Sequence, residues 1–231
     1  MAEQNKQVMQ APAPWELSGE AWMVLLKAQD LPMPGQRVGS LWPGIAIYVD
    51  YKSSPVGPYE ELLLIPGRQA FPQGPRMTIS TIYVSTWESV INGRKNWGIP
   101  KQLARFERTR LGPRHESLKV YRNEQMICSW ELSHQAWHIP FGSGLLPGGL
   151  RTLAQAWEGQ GFEIKISAGG QMAFGKLHAA WGDETHWFAG DQSRALLCCK
   201  YDNFRLSFPV PKLFPAPDGL SLSEKHLLAN G

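Results

Sequence analysis

Lys101 stands between Ile99-Pro100 and Gln102-Leu103-Ala104, with Trp97 and Gly98 just upstream, in the run NGRKNWGIPKQLARFE over residues 92–107. An amine among apolar neighbours can act as a nucleophile, because burial disfavours the ammonium and frees the lone pair. A lysine in water titrates at about pH 10.4, so roughly one amine in 2,500 is neutral at pH 7. Bringing that titration near neutrality takes roughly 4 to 5 kcal/mol of destabilisation of the ammonium. Trp97, Ile99, Leu103 and Phe106 are candidate walls for such a pocket. A solvated surface lysine is the simpler alternative.

A second run, SSPVGPYEELLLIPG over residues 53–67, carries Pro58-Tyr59-Glu60-Glu61 directly into Leu62–Ile65. In a strand, consecutive side chains point to opposite faces, so Glu60 and Glu61 diverge and one of them faces inward. A buried carboxylate is costly unless it has a partner or a task. The alternative is a glutamate at a strand end that curls to solvent.

Other reactive residues lack the company their chemistry needs. His134 and His138 (HQAWH) have the spacing of one helix face but no Glu after the first His. They read as polar residues at a strand end. His178 and His186 are equally unsupported, and no metal site is expected. Cys198-Cys199 lie in the apolar run ALLCCKY and read as inert buried thiols. Gly142–Gly149 (GSGLLPGG) lacks the Lys-Ser/Thr of a phosphate-binding loop and reads as a turn or a gate over a pocket. No G-x-S-x-G elbow occurs.

The elements that must position Lys101 and the glutamates are mostly strands. The chain has 231 residues, with 10 Trp, 9 Phe and 6 Tyr and only 19% charged residues, enough to fill one large core. Its 23 Gly and 18 Pro are scattered, as between many short strands. Strands are expected at 21–27, 45–51, 61–65, 77–84, 103–108, 117–121, 126–132, 162–166, 172–181 and 201–208. Helices are expected at 86–92, capped by Thr86, and at 150–158, ended by Gly159. Alternating βαβ units are absent. The expected class is therefore mainly β (α+β): a closed antiparallel barrel or cone with a few short helices.

Residues 1–14 read as a flexible polar arm rather than a secretion signal, and 15–231 as a single domain. No apolar run is long enough to span a membrane as a helix. The net charge of +3 is dispersed, so nucleic acid is not an expected partner. Three cysteines, two of them adjacent, suit a reducing cytoplasm.

The two runs together resemble the acetoacetate decarboxylase family. Its pattern of Gly-Arg, variable residues and Pro-Lys matches Gly93-Arg94, Lys95 to Ile99 and Pro100-Lys101, and its Tyr-x-Glu matches Tyr59-Glu60-Glu61. The resemblance is strongest from about Ile45 to Arg108. It implies a Schiff base between Lys101 and a small keto acid or related carbonyl compound, with Glu61 facing the cavity as acid-base or positioning group. It also implies substrate contacts from Tyr59, Trp97, Gln102 and Arg94, no cofactor, and a homo-oligomer.

Three departures stand against the strict pattern. Gln102 replaces a second lysine, no arginine precedes Arg37, and Ala46 falls where a further active-site glutamate is expected. A decarboxylase, an aldolase-dehydratase acting on α-keto acids and a non-catalytic binding protein all remain open. With Gln102 in place, the Lys101 amine is expected to be lowered in pKa by desolvation, or by Arg94 or Lys95.

Overall fold

The computed structural model describes residues 9–28, 31–33, 35–39, 42–145, 151–187, 190–217 and 219–224. Alternating burial starts the chain. In β1 (Trp15–Leu26), β2 (Gly44–Ser53) and β3 (Tyr59–Ile65), side chains of both faces are covered, and the three strands form an antiparallel meander. Two short strands, β4 (Arg68–Gln69) and β5 (Arg76–Met77), follow, then β6 (Thr81–Val84), the helix α1 (Trp87–Trp97) and β7 (Gln102–Leu103). The next strands are β8 (Arg105–Gly112), β9 (His115–Arg122), β10 (Gln125–His134), β11 (Ile139–Gly142), β12 (Thr152–Trp157) and β13 (Gln160–Lys165). The last are the long β14 (Ser167–Gly182) and β15 (Ala195–Phe208), and β16 (Lys212–Pro215).

The main sheet has eleven strands in the order β7-β6-β3-β2-β1-β15-β14-β10-β9-β8, with β11 beside β14. Its two ends, β7 and β8, are consecutive in the chain with only Ala104 between them, and the Ala104 N–H donates to the Val84 carbonyl at 2.9 Å. The path therefore returns on itself, and the sheet is a nearly closed barrel, as expected. Even-numbered side chains of β1 to β3, among them Trp22, Tyr48 and Leu62, meet Leu118 of β9 and Trp130 of β10 inside this curl. Arg108 of β8 pins the closure electrostatically: it reaches Glu20 of β1 and Asp50 of β2, both at 2.9 Å, and also Glu116 of β9.

Odd-numbered residues of the same strands, such as Leu17, Val49 and Leu63, face the other way. There they meet α1 and a second sheet of five strands, ordered β16-β13-β12-β5-β4. The main sheet is thus buried on both faces, and the space between it, the second sheet and α1 is where the candidate site forms.

Three expectations need correction. Residues 152–157 are a strand, not part of a helix. Leu153-Ala154-Gln155-Ala156-Trp157 are all buried, so the run shows no strand alternation, and its Leu, Ala and Gln are good helix formers. Pairing with β13 overrides that preference. Glu158 and Gly159 both have positive φ (48° and 81°), so Gly159 is half of a tight hairpin turn rather than a helix stop. Residue 150 lies outside the described residues, as do 146–149 of the glycine-rich run; Ser143–Leu145 form a short 3₁₀ turn. The expected strand at 77–84 is two strands, β5 and β6, which serve different sheets.

The part of the expected arm within the described residues, 9–14, is laid against α1 instead of hanging free. The Ala11 N–H donates to Asn92 Oδ1 at 2.8 Å, while Asn96 Nδ2 donates to the Ala11 carbonyl at 2.8 Å.

The hairpin reading of 157–160 has a measurable consequence. Glu158 is exposed and strained in the left-handed region, whereas Asn tolerates that region. Glu158→Asn is expected to stabilise the protein by roughly 0.5–1 kcal/mol in urea unfolding. A helix at this position would give a loss instead, because Asn is the poorer helix former.

Candidate active site

The geometry around Lys101 begins with how α1 ends. Thr86 caps its start by accepting from the Ser89 N–H at 3.3 Å. The helix runs past the expected end at Asn92 through Gly93 to Trp97. Gly98, with φ 62°, closes it by donating to the Arg94 carbonyl at 2.9 Å. Ile99 and Pro100 then turn the chain so that Lys101 comes back over the helix. A Cβ added at Gly93 would stand 2.6 Å from Lys101 Cδ and 2.8 Å from Cε. The glycine therefore leaves room for the lysine side chain, which is a physical reason for the spacing between Gly93 and Lys101.

Lys101 and Glu61 are each only 4% exposed. The Lys101 ammonium donates to Glu61 Oε2 at 2.8 Å, to Ser89 Oγ at 3.0 Å and to the Tyr59 hydroxyl at 3.4 Å. Its three protons thus face three oxygens. The second carboxylate oxygen of Glu61 accepts from the Tyr51 hydroxyl at 3.3 Å. Tyr51 and Tyr59 have ring centroids 4.6 Å apart, and Lys101 Nζ lies 5.0 Å from the centre of the Tyr59 ring. Alternation separates the two glutamates: Glu60 points to the other face, where its carboxylate accepts from Tyr48 at 2.6 Å.

Burial pulls the Lys101 pKa down, but the charge of Glu61, the nearby Tyr59 and the hydrogen bonds to both outweigh it. The pKa therefore stands above that of an ordinary lysine. This corrects the expectation of a lowered value. The heads of Arg94 and Lys95 are directed away from the Lys101 amine. Arg94 Nε donates to the Lys101 carbonyl at 2.9 Å and Nη1 to Glu224 at 2.9 Å, while Lys95 reaches Gln10 at 2.9 Å. Burial likewise pushes the Tyr59 phenol up to about 12, against the opposing charge of Lys101, so it stays protonated at neutral pH.

Lys101 and Glu61 sit in the wall of a cavity of about 330 Å³ between the main sheet, the second sheet and α1. Trp15, Leu63, Ile79, Leu153, Phe141 and Phe208 typify its lining. Trp97 also lines it, held edge-on to Trp15 with ring centroids 5.0 Å apart and donating to the Pro209 carbonyl at 2.8 Å.

At the level of sequence, no family model and no curated protein matches the chain. Solved structures do match in shape. The enduracididine biosynthesis enzyme MppR complexed with pyruvate has a TM-score of 0.61 at 14% identity, over 94% of this chain and 95% of its own. An acetoacetate decarboxylase-like enzyme from Sphingomonas wittichii RW1 has a TM-score of 0.63 at 11% identity, over 90% and 95%. Acetoacetate decarboxylase from Legionella pneumophila has a TM-score of 0.57 at 12% identity, over 91% and 94%. The fold is that of acetoacetate decarboxylase. At these identities the likeness carries the fold alone.

Within this acetoacetate decarboxylase fold, the expected site residues divide into two groups. Lys101, Glu61, Tyr59 and Trp97 meet at the cavity. Gln102 and Arg94 do not: they line a separate cleft of about 660 Å³ together with Glu60 and Arg105. Side chains alternate along the chain at 101 and 102, so Gln102 is directed away from the Lys101 amine. Sequence reasoning missed Ser89 and Tyr51. Ser89 lies one helical turn before Gly93, and Tyr51 is across β2–β3 from Tyr59, so helix and strand periodicity carried the signal for both.

The remaining candidates are engaged in local contacts. His134 bonds the Gln135 carbonyl at 2.8 Å, His138 pairs with Asp202 at 2.7 Å and His178 with Ser133 at 2.7 Å. His186 bonds Asp183 at 2.9 Å, and burial pushes the Cys198 thiol up to about 12. No helix among the described residues is long and apolar enough to cross a membrane.

Gly93→Ala tests the lysine's path. In an ordinary exposed helix, Gly to Ala gains about 1 kcal/mol. Here the added methyl meets Lys101, and the variant is expected to lose roughly 1–3 kcal/mol in urea unfolding. In the Lys101→Ala background the same change is expected to be neutral or stabilising, a coupling read from the double-mutant cycle.

Proposed function

We propose that this protein is a Schiff-base-forming carbon–carbon lyase acting on a small carbonyl compound, with Lys101 as nucleophile and Glu61 as the group that moves the proton. One observation carries the proposal: an amine and a carboxylate 2.8 Å apart, both buried, at the wall of an apolar cavity.

Lys101 rests as an ammonium. Transfer of one proton along the hydrogen bond to Glu61 yields a free amine and a carboxylic acid without changing the charge of the site. In a low-dielectric cavity the ion pair loses much of its advantage over that neutral pair, because both charges have been stripped of water. The amine then adds to the carbonyl carbon, and the carbinolamine leaves water with the proton held by Glu61. The resulting iminium accepts the electrons of a carbon–carbon bond broken next to it. The enamine takes a proton at carbon, from Glu61 where the cleaved group has left one there and otherwise from water, and hydrolysis of the iminium restores the Lys101 ammonium beside the Glu61 carboxylate. The iminium is its own electron sink, so this route needs no metal or organic cofactor. The Tyr59 phenol, protonated at neutral pH, and Ser89 Oγ steady the nitrogen through the cycle.

The raised pKa of Lys101 favours a second reading, a protein that binds a small molecule in this cavity without turnover. Borohydride trapping separates the two. With a panel of pyruvate, acetoacetate and an uncharged ketone, mass spectrometry is expected to find a reduced adduct on Lys101 with at least one probe, and none in Lys101→Ala.

The pH dependence follows from the proton count. Ion pair and neutral pair hold the same number of protons, so the wild-type trapping rate is expected to stay nearly flat between about pH 7 and pH 9. In Glu61→Gln the raising charge is gone and burial acts downward on the ammonium. Trapping should then rise about tenfold per pH unit until it levels off at the lowered pKa. Adducts spread over surface lysines and unchanged in Lys101→Ala would leave the binding protein as the answer.

A further inference from the structure

We infer that the cavity takes an uncharged carbonyl compound with an apolar body, a ketone or aldehyde carrying a hydrocarbon or aryl tail, in preference to a keto acid. The inference rests on Lys101 acting as the Schiff-base nucleophile and narrows what reaches it.

The charges around the cavity carry the argument. Among the described residues that line it, Lys101 and Glu61 are the only ionisable groups apart from tyrosines, and they already neutralise each other at 2.8 Å. No arginine, histidine or second lysine is among its described lining residues. Of the cations near Lys101 in sequence, Arg94 and Arg105 line the separate outer cleft, and Lys95 reaches Gln10 at 2.9 Å. Lys200 and Arg108 are held by Glu20, at 2.6 Å and 2.9 Å, in the network that closes the barrel. A substrate carboxylate would therefore be a third charge in an apolar chamber whose described lining offers no further cation. Stripping such an anion of water costs several kcal/mol when nothing replaces its shell. It would also compete with Glu61 for the one ammonium and so disable the proton transfer.

Shape points the same way. A cavity of about 330 Å³ equals the liquid volume of roughly eleven waters, enough for a ligand of about ten non-hydrogen atoms. Pyruvate would leave much of it empty. Trp15, Phe141, Phe204 and Phe208 offer ring faces and edges to a hydrocarbon or aryl tail. The Tyr201 hydroxyl, also in the lining, makes a weak contact with the Met23 sulfur at 4.0 Å. It is a neutral partner suited to an alcohol or carbonyl oxygen.

An uncharged substrate has no carbon dioxide to lose, so the bond available to cut is an aldol bond. The β-hydroxyl of a hydroxy ketone held as the iminium gives its proton to the Glu61 carboxylate. The electrons of the α–β carbon bond move onto the iminium nitrogen, an aldehyde leaves, and the enamine remains on Lys101. Glu61 returns the proton to the α-carbon, and water hydrolyses the iminium to the shorter ketone. The reverse sequence joins the ketone and aldehyde.

Benzylacetone and benzylpyruvate test this preference, since they differ only in a methyl or a carboxylate on the carbonyl. Two readouts are made on the wild-type protein: borohydride-trapped adduct on Lys101, and quenching of the tryptophan fluorescence to which Trp15 and Trp97 contribute. Each half-saturating concentration for trapping is divided by the compound's imine-forming tendency with a simple alkylamine. Benzylacetone is expected to saturate both signals at a concentration at least tenfold lower than benzylpyruvate. Equal or tighter binding of benzylpyruvate overturns the inference, as does the absence of any quenching or adduct with benzylacetone. Selective quenching by benzylacetone with no adduct on Lys101 supports the preference for uncharged ligands and removes the Schiff-base role on which the chemistry rests.

Discussion

The pairing of Lys101 with Glu61 is the interaction around which this region of the fold is arranged. Each side chain is almost fully buried, and removing two ions from water costs several kcal/mol apiece, which their attraction and hydrogen bonds must offset. Two apolar residues of similar volume would be as stable or more so, so the pair is not explained by stability. Its upkeep involves several elements at once. β3 delivers Tyr59 and Glu61 to one face by strand alternation, α1 delivers Ser89 and Gly93 to one face by helical spacing, and the Gly98 cap brings Lys101 back between them. Displacing any of these leaves a buried charge short of a partner.

The pair is electrically self-contained. Because Glu61 is the counter-ion, the amine is not free at rest, and the same carboxylate is the nearest group able to take its proton. One hydrogen bond holds the amine in place and offers a route for its proton. A cavity with a cation to spare would pull in anions. This one, with none among its described lining residues, selects against them.

Much of this was legible in the sequence because it depended on local rules. Alternation separated Glu60 from Glu61, Thr86 announced the start of α1, and the strand-rich punctuation announced a closed β architecture. What was not legible depended on tertiary context. Residues 152–157 have no alternation because both faces of β12 are covered, and only pairing with β13 reveals a strand. The end of α1 was hidden by Gly93, which looks like a stop but is small because a side chain crosses it. The direction of the Lys101 shift was misjudged because burial can be weighed from apolar neighbours in sequence, whereas a counter-ion forty residues away cannot.

Position 102 shows how much that distinction matters. Reading along the chain, the replacement of a second lysine by Gln102 looks like the loss of the group that would lower the pKa of Lys101. In the fold, Gln102 of β7 pairs with Tyr83 of β6 and its side chain lines the outer cleft, so a cation there would act on the amine only across the backbone. The electrostatic state of Lys101 is set from the cavity side, by Glu61 and Tyr59. Lowering the pKa of a lysine in this setting does not require adding a positive charge beside it; neutralising Glu61 removes the largest influence that opposes burial and leaves Tyr59 alone to resist it. A ligand that carries no charge preserves that single lever, and a ligand that carries a carboxylate removes it by taking the place of Glu61 as counter-ion.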